Sequence, residues 1–180
     1  FFVMAVCALP LWLKLAERTE KSFAFKAAAL LSCSSFFIYY LAGQVGGFWP
    51  LFIGAFFNGA AFSAPMVLAR SMTADVVEWQ VSQTGENRSG IYYSLITSAY
   101  KVGSSLALGV GYLILGQWAG FHPNKDNSPE AIHGLLLVFC LLPGTLYLLA
   151  ALAASRYPFT RAMQQEVAKS LDPRGPEIMD

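Results

Sequence analysis

The stretch AIHGLLLVFCLLPGTLYLLAALAAS, residues 131–155, contains no Asp, Glu, Lys or Arg. An α-helix needs about 20 predominantly apolar residues to cross a hydrocarbon core, and this run exceeds that length. Strict alternation of apolar and polar residues is absent, and an open strand in lipid would leave its backbone N–H and C=O groups unsatisfied. The stretch therefore reads as a transmembrane helix. Working outward, four more apolar segments appear at residues 1–13, 27–44, 48–69 and 91–121. The last three read as transmembrane helices, with Gly46, Gly47 and Pro50 punctuating the chain between two of them. Residues 1–13 are too few to cross, so they read as the end of a truncated transmembrane helix.

Composition agrees. Hydrophobic residues make up 56% of the 180 and charged residues 13%, against about 25% charged in a soluble domain. Length alone predicts one domain, but one soluble core cannot absorb this much apolar surface, whereas lipid can. The net charge of +1 and the absence of a basic, aromatic-lined stripe leave no footprint for nucleic acid. Cys7, Cys33 and Cys140 are odd in number, far apart and set in apolar runs. They read as small buried hydrophobes rather than disulfides or metal ligands. Position 1 is Phe, and no basic segment precedes the first apolar run, so that run lacks the flanks of a signal peptide. The expectation is a chain that starts inside a longer protein.

The connecting segments carry a charge signal independent of the spans. Lys and Arg number 4 in residues 14–26, none in 43–50, 2 in 70–90, 1 in 122–130 and 4 from residue 156 onward. Alternate connections share a side, so one side holds 10 basic residues and the other 1. The positive-inside rule places residues 14–26, 70–90 and the 156–180 tail in the cytoplasm. Within that tail Met163, Val167 and Leu171 recur every four residues among Arg161, Gln164, Gln165, Glu166 and Lys169. The spacing fits a short amphipathic helix on the membrane or against the cytoplasmic face, ended by Pro173, Gly175 and Pro176; a solvated tail is the competing reading. No repeat occurs within the chain.

Lys101, the twelfth basic residue, lies inside a span. It stands ten residues past Ile91, about 15 Å at 1.5 Å per residue, near the middle of a core about 30 Å thick. A central lysine costs at least about 2.5–3.5 kcal/mol, and such residues face a bundle interior or a water-filled cavity. Snorkelling toward a headgroup is the alternative. Ser94, Thr97, Ser98, Ser104 and Ser105 share its face at spacings of three and four, which a lipid-facing surface would not carry. Gly103, Gly109 and Gly111 add small residues that permit close helix approach.

Asn58, at the centre of the 48–69 span, either contacts a substrate or hydrogen-bonds a neighbouring helix. Pro65 in the same span removes a backbone donor and predicts a kink or an unwound turn. Asp75, Glu78, Arg70 and Arg88 read by themselves as solvated charges of a cytoplasmic loop. Asn87-Arg88-Ser89 matches the glycosylation pattern, but on the wrong side for modification. His122 and His133 lack ligand-spaced partners. A P-loop, a nucleophile elbow, HExxH and paired acids within a span are all missing, so nothing points to an enzyme.

Motifs now add up. Met72-Thr-Ala-Asp-Val-Val-Glu-Trp79, then Thr84-Gly85, Arg88, Gly90, Tyr92-Tyr93-Ser94 and Lys101-Val-Gly-Ser104, resemble the glycoside–pentoside–hexuronide:cation symporters. These are the melibiose-carrier-like members of the major facilitator superfamily. Pro10-Leu-Trp12 with Arg18 and Lys21 looks like that family's connection between the eighth and ninth helices. Arg156-Tyr-Pro158-Phe-Thr160 looks like its segment after the twelfth. The resemblance covers nearly the whole chain in order and spacing. It implies an all-α polytopic membrane protein, the C-terminal half of a major facilitator superfamily helix bundle, in a bacterial inner membrane with a cytoplasmic C-terminus.

The resemblance also implies function. Lys101 matches the family's eleventh-helix lysine near the sugar and cation sites, and Thr97 joins it as a cavity residue. Tyr100 either tunes substrate choice or packs the core. Asp75, Glu78 and Arg88 match a charged loop implicated in the cytoplasmic gate. The implied activity is Na⁺- or H⁺-coupled symport of a sugar or glycoside by alternating access. The partners are the substrate, the bilayer and a missing N-terminal half that binds most of the coupling ion; no other cofactor is implied. A lysolipid or other amphiphile carrier of the same family, and a non-transporting scaffold or sensor, are the alternatives.

Overall fold

The computed structural model describes residues 1–171. Six helices follow one another: α1 (Phe2–Arg18), α2 (Lys21–Val45), α3 (Phe48–Thr84), α4 (Ser89–Leu113), α5 (Pro129–Ala154) and α6 (Arg161–Leu171). A π-helical turn, Ile114–Trp118, continues α4. The described residues contain no strand, and α2, α3, α4 with its π turn, and α5 are long and apolar enough to cross a membrane. The fold is all-α and polytopic.

The helices overrun the apolar segments. Residues 14–26 are not an extended loop: α1 continues to Arg18, α2 begins at Lys21, and only Thr19 and Glu20 form the corner. Thr19 closes α1 through both its backbone N–H and its hydroxyl, which donate to the Leu15 carbonyl at 2.9 and 2.7 Å. Likewise residues 70–84 are the last four turns of α3, and the connection to α4 is confined to 85–88. Gly85 ends α3 at φ 69°, a left-handed conformation that glycine adopts without a Cβ clash. Hydropathy marks where lipid ends, whereas polar helix formers such as Gln, Glu and Arg let the backbone hydrogen bonding run on. Pro65 does not break the helix: α3 is helical throughout its 37 residues, so no unwound turn forms there.

Small residues make the helix contacts. Ala24 and Ala28 of α2 pack against Ala64 and Leu68 of α3, with Trp12 and Leu15 of α1 and Phe25 closing over them. Trp12 Nε1–H donates to the Ala60 carbonyl at 2.7 Å, and the Ser63 hydroxyl donates to the Ala5 carbonyl at 2.9 Å, tying α1 to α3. Between apolar surfaces already bathed in lipid, close packing and such interhelical bonds drive association. Across the bundle α5 packs on α2, where Phe36 and Tyr147 stack at 6.0 Å. At its other end α5 meets the turn after α4: a Cβ on Gly134 would lie 2.7 Å from that of Ala119, too close for any larger residue.

In contrast α4 stands at the edge of the bundle. It contacts α3, yet none of its residues is buried.

Candidate functional site

Between α2, α3, α4 and α5 lies a cavity of about 530 Å³, within the range of small-molecule sites. Phe25, Pro65, Arg70, Thr97, Tyr100 and Tyr147 line it. The walls are mostly apolar, and Arg70 is the one charged side chain among the lining residues. Thr97 and Tyr100, both singled out in the sequence, thus come together here. Lys101 and Asn58 do not line the cavity.

Helical geometry explains the split. Successive residues of an α-helix turn by about 100°, so Lys101 is rotated about that far from Tyr100, onto the face of Ser94, Ser98 and Ser105. That face is exposed along its length. Thr97 sits where the two faces meet. Lys101 is exposed and has no ion pair or hydrogen bond among the described residues. Asn58 is half-buried on α3 and makes no side-chain hydrogen bond among them either.

Three of the five hydroxyls of the stripe are turned inward. Ser94 donates to the Ile91 carbonyl at 2.8 Å, Thr97 to Tyr93 at 2.8 Å and Ser104 to Tyr100 at 2.9 Å. Their hydrogens are committed to the helix backbone, which leaves oxygen lone pairs facing outward.

A second polar centre sits five residues beyond Arg70 on α3. Asp75 is only 7% exposed, and the Lys21 ammonium donates to its Oδ1 at 2.6 Å. Gln164 of α6 donates to Oδ2 through Nε2 at 2.9 Å. The Tyr157 phenol, with one hydrogen to give, shares it between the Met72 carbonyl at 2.9 Å and Asp75 Oδ2 at 3.3 Å. Burial, and then the adjacent Asp75 charge, push this phenol well above the usual tyrosine range, so it remains a neutral donor. One carboxylate therefore gathers α2, α3, the chain after α5, and α6.

Of the three loop charges marked in the sequence, Asp75 alone occupies this network. Glu78 is exposed and unpaired among the described residues. Arg88 pairs with Glu86 at 2.6 Å, but both are more than half exposed, and such pairs add little. Sequence reasoning missed Lys21 and Gln164 because their closeness to Asp75 is purely tertiary. Arg70 was legible in principle: it follows Ser63 and Met66 at spacings of three and four, and all three line the cavity.

α6 forms as the tail spacing suggests, and it lies against α3. Met163 and Val167 border a groove with Trp79, while Trp79 also meets Phe159 edge-on at 5.8 Å. Pro173, Gly175 and Pro176, expected to end the helix, lie outside the described residues.

The family described as MFS/sugar transport protein matches residues 1–161. Similar curated proteins include the Glucuronide carrier protein homolog of Escherichia coli (strain K12), 26% identical over 96% of this chain and 37% of its own length. The uncharacterized symporter sll1374 of Synechocystis is 29% identical over 73% of this chain and 25% of its own. A putative glycoside/cation symporter, YagG, also of Escherichia coli, is 25% identical over 61% and 24%. The chain thus spans between a quarter and two fifths of these relatives. No solved structure matches it significantly.

Proposed function

We propose, for a chain that belongs to the MFS/sugar transport protein family over residues 1–161, that it forms the C-terminal bundle of a cation-coupled sugar or glycoside symporter. The family is one of membrane transporters rather than enzymes. The observation that carries the reading is the cavity between four helices, bordered by Thr97 and Tyr100 on the helix that also bears Lys101.

In this reading the bundle rocks against an N-terminal partner bundle, exposing a midplane site to each side in turn. Lys101, unpaired on α4, meets a carboxylate of that partner or the substrate itself, and so biases the site electrostatically. The coupling ion, Na⁺ or H⁺, is held mainly by acids of the partner bundle. Cation and sugar each favour the occluded form, so each raises the other's affinity by the same factor. The Asp75 network marks the cytoplasmic end, and the membrane is the inner membrane of a bacterium.

Uptake of a radiolabelled glycoside into vesicles carrying the complete transporter tests this. Accumulation that depends on an imposed Na⁺ or H⁺ gradient is expected; gradient-independent equilibration would remove the symport claim. The apolar walls of the cavity favour one competing reading, an amphiphile carrier. Displacement of the labelled glycoside by other glycosides but not by lysophospholipid separates the two.

A further inference from the structure

We propose that Tyr147 of α5 is a specificity-determining residue of this cavity: its phenol donates a hydrogen bond to one hydroxyl of the transported glycoside, and Ser32 of α2 positions that phenol. The inference rests on the sugar-transport reading and gives α5 a part in substrate choice.

A buried hydroxyl without a partner leads there. Ser32 is 0% exposed, and its Oγ makes no hydrogen bond among the described residues. Ser35, buried to the same degree, gives its hydrogen to the Ser32 carbonyl at 2.7 Å. Leaving a buried hydroxyl unpaired is costly, so the Ser32 hydroxyl needs a function or a partner. It faces the Tyr147 phenol. Tyr147 stacks on Phe36, one turn along α2 from Ser32, and lines the cavity. It stands seven residues before the end of α5, about 10 Å inside the helix, deeper than the interfacial belt where tyrosines keep their hydroxyls wet. A phenol oxygen accepts one hydrogen bond while giving its own hydrogen elsewhere. With the Ser32 hydrogen turned to that oxygen, the phenol hydrogen is free for the cavity. The other donors are spent or open to the outside. Ser63 donates to the Ala5 carbonyl and Thr97 to the Tyr93 carbonyl, while Tyr100 and Arg70 are exposed. One sheltered donor in an otherwise apolar wall discriminates well, because a ligand lacking the matching hydroxyl leaves it unpaired.

The test uses radiolabelled 4-nitrophenyl β-glucoside, β-galactoside and β-xyloside in vesicles carrying the complete transporter. Monodeoxy analogues of whichever glycoside is taken up then serve as competitors. In the wild type, removing the recognised hydroxyl is expected to weaken competition roughly 3–10-fold, the size of one neutral hydrogen bond. Tyr147→Phe keeps the ring and its stacking on Phe36. It should weaken the parent glycoside by a similar factor and make that one deoxy analogue equal to the parent. Ser32→Ala should narrow the gap between the same two ligands in part, with the maximal rate of uptake unchanged.

A Tyr147→Phe variant that keeps the wild-type ranking of every deoxy analogue overturns the proposal while leaving sugar transport intact; the two hydroxyls would then only help pack α2 against α5. So does a wild type indifferent to all the monodeoxy analogues. Uptake of none of the three glycosides overturns the sugar-transport reading together with it. A Ser32→Ala variant that loses membrane abundance but keeps the full gap removes Ser32 from its positioning role. Abundance is followed by immunoblot; should Tyr147→Phe fail to accumulate, Ser32→Ala against the same analogues decides.

Discussion

Asp75 is held by Lys21, Gln164 and Tyr157, and removing either charge of its ion pair has a cost that the surface pair lacks. Asp75→Ala leaves Lys21 without a counter-charge and Gln164 without its acceptor, while Tyr157 keeps the Met72 carbonyl; Lys21→Ala leaves a buried carboxylate facing neutral groups. Breaking a buried pair from one side costs about 3–5 kcal/mol. Because Lys21 is 24% exposed, the lower end applies to Lys21→Ala. Thermal unfolding in detergent should show both variants clearly destabilised and Arg88→Ala close to wild type. Equal behaviour of all three would mean that the network contributes nothing. Lys101 behaves differently. It has no partner within the described chain, so Lys101→Ala should leave membrane insertion and stability unchanged while abolishing cation-coupled uptake in the complete transporter. Normal coupled uptake by that variant would remove Lys101 from the site.

At the scale of elements, the short amphipathic helix has a defined seat. Met163 and Val167 face the Trp79 groove while Gln164 reaches Asp75. Val167→Asp places a charge in that groove and should detach α6, measurable as faster tryptic cleavage at Arg161 with the membrane-spanning helices intact. Unchanged cleavage would show that Gln164 alone holds the helix. The sequence made the existence of α6 legible because its four-residue apolar spacing survives in a single short segment. It did not reveal which surface receives α6, since Trp79 and Asp75 lie more than eighty residues away along the chain. The apolar runs located the four long helices for the same local reason, and missed their polar extensions because lipid and helix end at different residues. On α4 the polar stripe was legible as a face. That three of its hydroxyls bond back to the helix's own carbonyls is a local habit of serine and threonine, whereas the cavity on the adjacent face depends on how α4 meets α3.

At the scale of the whole molecule, one end of the bundle gathers the basic residues. With 10 of the 12 Lys and Arg within residues 14–26, 70–90 and 156–180, the Thr19–Glu20 corner, the 85–88 connection and α6 should lie in the cytoplasm. Alkaline phosphatase fused after Asn124 should be active, and fused after Gln165 inactive; the reverse pattern would invert the topology. The edge position of α4, with no buried residue, gives the bundle one flank that its own helices do not cover. The Lys101 stripe lies on that helix, which is why its partner could not be read from these residues.

The length of α3 has a mechanical consequence. Its 37 residues form a rod of about 55 Å that lines the cavity with Pro65 and Arg70 and clasps α6 with Asp75 and Trp79. Tilting such a rod by about 10° around its midpoint carries each tip sideways by about 5 Å. A fluorophore placed on exposed Ser170 rides near that tip. Its emission should follow events at the cavity, from the aqueous side and without any label in the bilayer.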